Sequence, residues 1–154
     1  MKIEISGSTD CGKKRQRNED YLSFDEKLRI GIVADGMGGL ESGEIASYLA
    51  VKEILSHLAA NKEVYDPSKA LMTAFPVAHN SINNYKNRHS IKRMGTTIDC
   101  LIFSDQSLYI GHTGDSRTYL FFRDHLWQLT IDHNVENLVK RGQLDKKHLT
   151  EKNK

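Results

Sequence analysis

Residues Val33-Ala34-Asp35-Gly36-Met37-Gly38-Gly39 bring a carboxylate out of an apolar run (Leu28 to Val33) into a turn with three glycines. Gly36, lacking a Cβ, lets a main-chain carbonyl and an aspartate approach one ion together. Upstream, Asn18-Glu19-Asp20 opens a second strand-like run, Tyr21 to Phe24. Two carboxylates carried by neighbouring strands predict a site for a hard divalent cation. Arg15 precedes Asp20 by five positions, and its planar, permanently charged fork suits phosphate oxygens that would share such a cation. Each piece has a plainer reading. Lys13 to Asp20 can be a solvated charged loop, and Asp35 to Gly39 can be an ordinary strand-to-helix connection.

The elements that would position these groups follow from periodicity. Lys2-Ile3-Glu4-Ile5 alternates with period two and predicts a strand, and Tyr21 to Phe24 with Leu28 to Ala34 predicts a hairpin around Asp25-Glu26-Lys27. From Glu41 to Leu58 the period becomes helical, with Ile45, Tyr48, Leu49 and Leu55 on one face and Val51, Ile54 and Leu58 beside them. A second helix opens at Asp66-Pro67, where the aspartate caps and proline takes the first helical position. Its stripe is Leu71, Phe75 (or Ala74), Ala78, Ile82 and Tyr85, and Pro76 predicts a kink or a split. Four strands follow at Thr96 to Phe103, Ser107 to Thr113, Arg117 to Phe122 and Leu126 to Leu129, then a short helix at Asn134 to Lys140 and a lysine-rich tail. Strands, two helices and then more strands predict an α+β fold with mainly antiparallel sheets.

Composition bounds the rest. The 154 residues suit one domain, 1–154, and a formal charge of +2 implies neither nucleic acid nor an acidic membrane. No run of apolar residues is long enough to span a bilayer, and Met1 to Ser6 lacks the apolar core of a secretory signal. Cys11 and Cys100 have no Cys-x-x-Cys spacing and read as reduced thiols of a cytoplasmic protein. Gly7-Ser8-Thr9-Asp10-Cys11-Gly12-Lys13 imitates a P-loop, but Lys14 stands where a Ser or Thr must hold magnesium, and no apolar helix follows. The basic stretches at Lys13 to Arg17 and Lys140 to Lys154 interleave no aromatics for base stacking. The seven histidines form no His-x-x-x-His pair that would suggest zinc.

Further blocks lie at Gly43-Glu44-Ile45-Ala46-Ser47, Met94-Gly95-Thr96-Thr97, Gly111 to Tyr119 and Leu129-Thr130-Ile131-Asp132-His133. With Thr9 to Gly12, Arg15, Asn18 to Asp20 and Val33 to Gly39, and in this order, they resemble the PP2C (PPM) family of metal-dependent serine/threonine protein phosphatases in its compact bacterial form. The resemblance implies a β-sandwich flanked by helices, with two Mn²⁺ or Mg²⁺ ions at one end. It implies that Asp35 bridges the ions, that Gly36 offers its carbonyl to one, and that Asp20 ligates that ion directly or through water. Glu19 would hold waters around it, Arg15 would bind the substrate phosphate, and Asp115 would contribute to a third, weaker metal position. The implied reaction is direct hydrolysis of phosphoserine and phosphothreonine in proteins, plausible targets of a Ser/Thr kinase, by a water that two cations activate. Met37 stands where some animal members carry a histidine proposed as general acid.

The family's domain also has a last third, with a second Asp-Gly block and a final Asp-Asn block, and nothing after His133 matches either. The fold implied is therefore C-terminally incomplete, keeping the ligands of one ion and losing most carboxylates of the other. Turnover would be weak or absent, and exposed sheet edges would invite a partner chain or self-association. The alternative is a non-catalytic module, a pseudophosphatase fragment that binds phosphoproteins or a partner through the Arg15 region.

Overall fold

The computed structural model describes residues 2–38, 42–61 and 66–145. Gly39 of the glycine-rich turn, Glu41 at the expected helix start and the tail from 146 lie outside them. The elements run β1 (Asp20–Asp25), β2 (Ile30–Met37), α1 (Ser42–Ala60), α2 (Pro67–Arg88), β3 (Gly95–Thr96), β4 (Ile98–Phe103), β5 (Leu108–Thr113), β6 (Tyr119–Phe122), β7 (His125–Gln128) and α3 (Val135–Lys140). The chain separates into two compact units, Met1–His112 and Thr113–Lys154.

The first unit holds a five-stranded sheet in the order β1-β2-β4-β5, with β3 paired to β2. The β1–β2, β2–β3 and β2–β4 pairings are antiparallel, as the α+β expectation requires. The β1–β2 hairpin turns at Asp25, whose Oδ1 accepts from Lys27 N and Leu28 N, both at 2.9 Å. Arg29 leaves the turn at φ 56°, and Asp25 then faces Ile30. That turn sets the register of everything upstream in β1.

Along β2, Ile30, Ile32, Ala34 and Gly36 are buried while the residues between them are not. The buried set meets α1 and α2 in one core with Ile98, Cys100 and Ile102 of β4. The helices therefore cover one face of the sheet. The face of α1 that is buried differs from the expected one. Gly43, Ala46, Ser47, Ala50, Val51, Ile54 and Leu58 are buried, whereas Tyr48 is exposed and Ile45, Leu49 and Leu55 are half-buried. Small residues let the helix axis approach the sheet, and a stripe read from large side chains alone misses them.

In α2, Asp66 caps as expected, Oδ1 accepting from Ser68 N at 3.0 Å and Lys69 N at 3.3 Å. Pro76 does not split the helix, which is continuous from Pro67 to Arg88. The proline is exposed, and the carbonyl it leaves without a donor belongs to the exposed Met72, where water can satisfy it. The expected strand at Lys2–Ile5 does not form, because four alternating residues make a strand only where a partner offers a ladder, and none of the described residues pairs with them. Thr96 to Phe103 divides at Thr97 into β3 and β4.

The second unit contains the β6–β7 hairpin, antiparallel with Phe122 facing His125. Its two-residue turn places Arg123 and Asp124 at φ 49° and 60°, the mirror-image geometry that matches strand twist. All eight strand residues are exposed. Asn134 Oδ1 caps α3 by accepting from Asn137 N at 2.9 Å.

Candidate functional site

Asp20 and Asp35 are direct cross-strand partners in the β1–β2 register. The neighbouring Gly36 N donates to Glu19 O at 3.0 Å, so Asp20 and Asp35 form the intervening pair that exchanges no backbone bonds. Their side chains point to the same face, with Cβ atoms about 4.5–5.5 Å apart in such pairs. That face is the one away from the helices, since Tyr21, next to Asp20, packs edge-on against Tyr48 of α1 at 5.3 Å. Both aspartates are exposed. Like charges directly opposite each other are unfavourable unless something positive lies between them.

The backbone of Asp35 is bound on its other side. Its N–H donates to Thr97 Oγ1 at 2.9 Å, and its carbonyl accepts from Thr97 N at 2.9 Å and Thr96 Oγ1 at 3.0 Å. The Met94-Gly95-Thr96-Thr97 block is thus a clamp on the aspartate. Asn18 does the same for Asp20, its Oδ1 accepting from Asp20 N at 3.0 Å while its amide donates to Thr9 Oγ1 at 2.8 Å.

Packing against α1 supplies a further reason for glycine at position 36. A Cβ there would lie 2.0 Å from the Gly43 carbonyl oxygen and 2.7 Å from the Glu19 carbonyl oxygen. The missing side chain makes room for the first turn of α1. Glu19 is half-buried, and its Oε2 lies 3.6 Å from Nη1 of Arg15. The Arg15 side chain stays 60% exposed, which leaves its fork reachable by a phosphate. Arg15, Glu19, Asp20, Asp35 and Gly36 all belong to the first unit.

Two carboxylates and a peptide carbonyl are hard oxygen donors, which fit Mn²⁺ or Mg²⁺ and not zinc. They are fewer than such an ion needs, and among the described residues no cluster of three or more His, Cys, Asp or Glu could hold a metal. The donor set fits one cation whose remaining positions water would fill.

Asp115 lies in the second unit, exposed, on the turn after β5. That turn is tied down by residues whose pairing sequence reading did not anticipate. Arg117 clasps Asp132 with both prongs, Nε to Oδ1 at 2.9 Å and Nη2 to Oδ2 at 2.7 Å, and this contact raises the guanidinium pKa further. His133 N donates to Gly114 O at 2.7 Å. The Gly-Asp-Ser-Arg and Asp-His blocks, separate in sequence, are one structural feature.

A second unanticipated pair is Asp99 Oδ1 with His112 Nδ1 at 2.5 Å, on β4 and β5. Asp99 is 3% exposed, and its Oδ2 has no hydrogen-bond partner among the described residues. The one signal in sequence was an acid inside the apolar run Ile98-Asp99-Cys100-Leu101-Ile102. Both cysteines are free. Burial, and secondarily the Asp99 charge, pushes the Cys100 thiol up from its ordinary 9.0 to about 12.

The chain is similar to known proteins in sequence and in fold. A family model described as protein phosphatase 2C matches residues 9–141. The protein phosphatase PhpP of Streptococcus pneumoniae is 34% identical over 149 residues, covering 92% of this chain and 60% of its own length. The serine/threonine phosphatase PstP/Ppp of Mycobacterium tuberculosis superposes with a TM-score of 0.75 at 33% identity, over 88% of this chain and 57% of that one. A structure of the catalytic domain of the serine/threonine protein phosphatase PstP in complex with two manganese ions gives a TM-score of 0.74 at 33% identity, over 88% and 59%. The chain thus spans about 60% of the length of the curated relatives it matches. With agreement running from the Thr9 loop to the end of α3, the chain belongs to the protein phosphatase 2C family.

Proposed function

We propose that this chain carries the cation-binding and phosphate-binding half of a protein serine/threonine phosphatase site, and that residues 1–154 work as part of one PP2C-type domain. The observation that carries the reading is the register placing Asp20 opposite Asp35, one residue from Gly36. In this reading Asp35 and Asp20 hold Mn²⁺ or Mg²⁺ together with the Gly36 carbonyl, and Asp115 serves a weaker position. The cation, when bound, supplies Lewis acidity that acidifies water and offsets phosphate charge.

The chain's own residues do the rest. Arg15 grips the phosphate of a phosphoserine or phosphothreonine side chain through two parallel N–H donors. Glu19 restrains Arg15 and, beside Asp20, accepts hydrogen bonds from water at the edge of the site. Attack comes from water rather than from a protein nucleophile: Cys100 is fully buried with its thiol held protonated to about 12. Cys11 donates its Sγ proton to the Arg15 carbonyl at 3.1 Å, a tie within the loop. Phosphorylated proteins are the substrates, and free thiols suit a reducing cytoplasm.

Phosphate release from a phosphothreonine peptide with added Mn²⁺ tests the assignment. Turnover that Asp35→Asn abolishes, by at least 100-fold, supports the enzyme; turnover indifferent to Asp35→Asn refutes the assigned site. One observation favours a second reading. Only two carboxylates converge among the described residues, so peptide retention through Arg15 without turnover identifies a phosphoprotein-binding module instead.

A further inference from the structure

On the side of the sheet away from Asp20 and Asp35, α1 and α2 lie against each other with a groove between them. His57 Nε2 lies 2.9 Å from Thr73 Oγ1. Moving along the two antiparallel helices by four residues at a time from that contact brings Glu53 beside Val77 and Leu49 beside Ser81. With Tyr85, these residues line a groove of about 520 Å³ that runs on to Arg88. Its floor is half-buried and largely apolar, built from Leu49, Val77 and Tyr85, and the Tyr85 ring is stacked on His89 at 4.2 Å. The whole groove lies in the first unit.

The polar side chains around that floor are unused. Asn80 and Asn84 are exposed and Glu53 is half-buried, and with Arg88 they make no side-chain hydrogen bond or ion pair among the described residues. Asn83, by contrast, pairs within α2, its Nδ2 lying 2.8 Å from His79 Nε2. An asparagine amide presents an acceptor and a donor side by side, which is the complement of a peptide group. Residues four apart on a helix are about 6 Å apart along its axis. Alternate residues of an extended chain are about 6.6 Å apart. Asn80 and Asn84 therefore match successive like-facing peptide groups of a strand laid along α2. From Val77, opposite Glu53, to Arg88 the helix rises about 16 Å, which an extended chain spans in about five residues. Glu53 at one end suits a basic side chain, and Arg88 at the other suits a carboxylate.

We propose that the α1–α2 groove is a docking site for an extended segment of a partner polypeptide, gripped through its backbone by Asn80 and Asn84 and carrying a basic and an acidic side chain about five residues apart. Alternate side chains of the segment point inward and settle on the Leu49, Val77 and Tyr85 floor, so the backbone supplies the grip and the two charges supply the choice of partner. The proposal does not rest on the cation site proposed above, whose two aspartates lie on the other face of the sheet.

The probe is the synthetic peptide acetyl-Lys-Thr-Val-Thr-Val-Asp-amide, titrated into the isotope-labelled intact chain and followed by its amide chemical shifts. Saturable shifts centred on residues 49–53 and 77–88, with a dissociation constant below about 1 mM, are expected. Asn80→Ala combined with Asn84→Ala should weaken binding about tenfold or more, since each lost hydrogen bond weakens it several-fold. Both positions are exposed on the helix, where alanine is a good helix former, so that variant keeps its fold. A peptide N-methylated at alternate peptide groups should lose affinity to the same degree. Glu53→Gln should weaken the lysine peptide about threefold and leave a norleucine version unchanged. Shifts that do not saturate, or that centre elsewhere, overturn the docking site. Undiminished affinity of the double variant, or of the N-methylated peptide, overturns the backbone grip and the proposal with it. Shifts at 49–53 and 77–88 that change on diluting the chain without peptide overturn the proposed occupant, because a second copy then fills the groove.

Discussion

The two faces of the five-stranded sheet are built from alternate residues of the same strands, and they have been put to different uses. Ile30, Ile32 and Ala34 face α1 and α2 and join a continuous apolar core. On the other face of β2, Val33 is 46% exposed, and beside it Asp35 stands opposite Asp20. The covered face supplies cohesion, and the other carries the two aspartates of the candidate site. Because the side-chain period is two, a slip of one residue would exchange them entirely. Rigidity at Asp20 and Asp35 is therefore borrowed: their backbones are held by Asn18, by Thr96 and Thr97, and by helix contacts on the far side of the sheet.

Adjacent residues of β2 give the largest contrast. Ile32→Ala should lower unfolding free energy by about 2–5 kcal/mol, by transfer and cavity terms together. Val33→Ala should stay within about 0.5 kcal/mol, as exposed positions do. Denaturant midpoints of the two variants measure the difference, and equal losses would mean that the faces are not divided as described.

A smaller effect concerns the two thiols. Cys100 lies under the helices and Cys11 does not. At pH 8 a thiol reagent should modify one cysteine quickly and the second only in denaturant, and two fast thiols would place Cys100 outside the core. The same burial has a pH signature. Cys100 has a raised pKa, so its contribution is complete below the unfolded value of 9.0 and is lost as pH climbs toward about 12. Stability should decline across that alkaline window, and Cys100→Ala should flatten the decline.

The placement of the candidate site's two aspartates was largely legible in the sequence. Asp35 announced itself because an apolar alternation ended in glycines, and Asp20 because a polar cluster opened the preceding strand. The Asp66-Pro67 start of α2 was equally plain, since capping is local chemistry. What escaped depended on partners distant in sequence. Lys2 to Ile5 has the right period but nothing to pair with. Pro76 looked disruptive because its exposure, which lets water relieve the helix, is a tertiary fact. Asp99 and His112 sit on separate strands, and only the sheet order brings them together. Ser47 bonds to a backbone carbonyl, and Gly36 is explained by the backbone of Gly43; neither contact has a residue-type signature. The buried stripe of α1 was misread for a related reason, since glycine, alanine and serine weigh little in a hydrophobic pattern yet decide how closely a helix can lie.

The central claim is that one divalent ion sits between the strands at residues 20 and 35. The most direct measurement is a crystal grown with Mn²⁺ and examined for anomalous scattering at the manganese edge. The account predicts a peak about 2.1 Å from a carboxylate oxygen of Asp35, with Asp20 bound to the same ion directly or through one water. A peak elsewhere, with the two carboxylates turned away from each other, would contradict it.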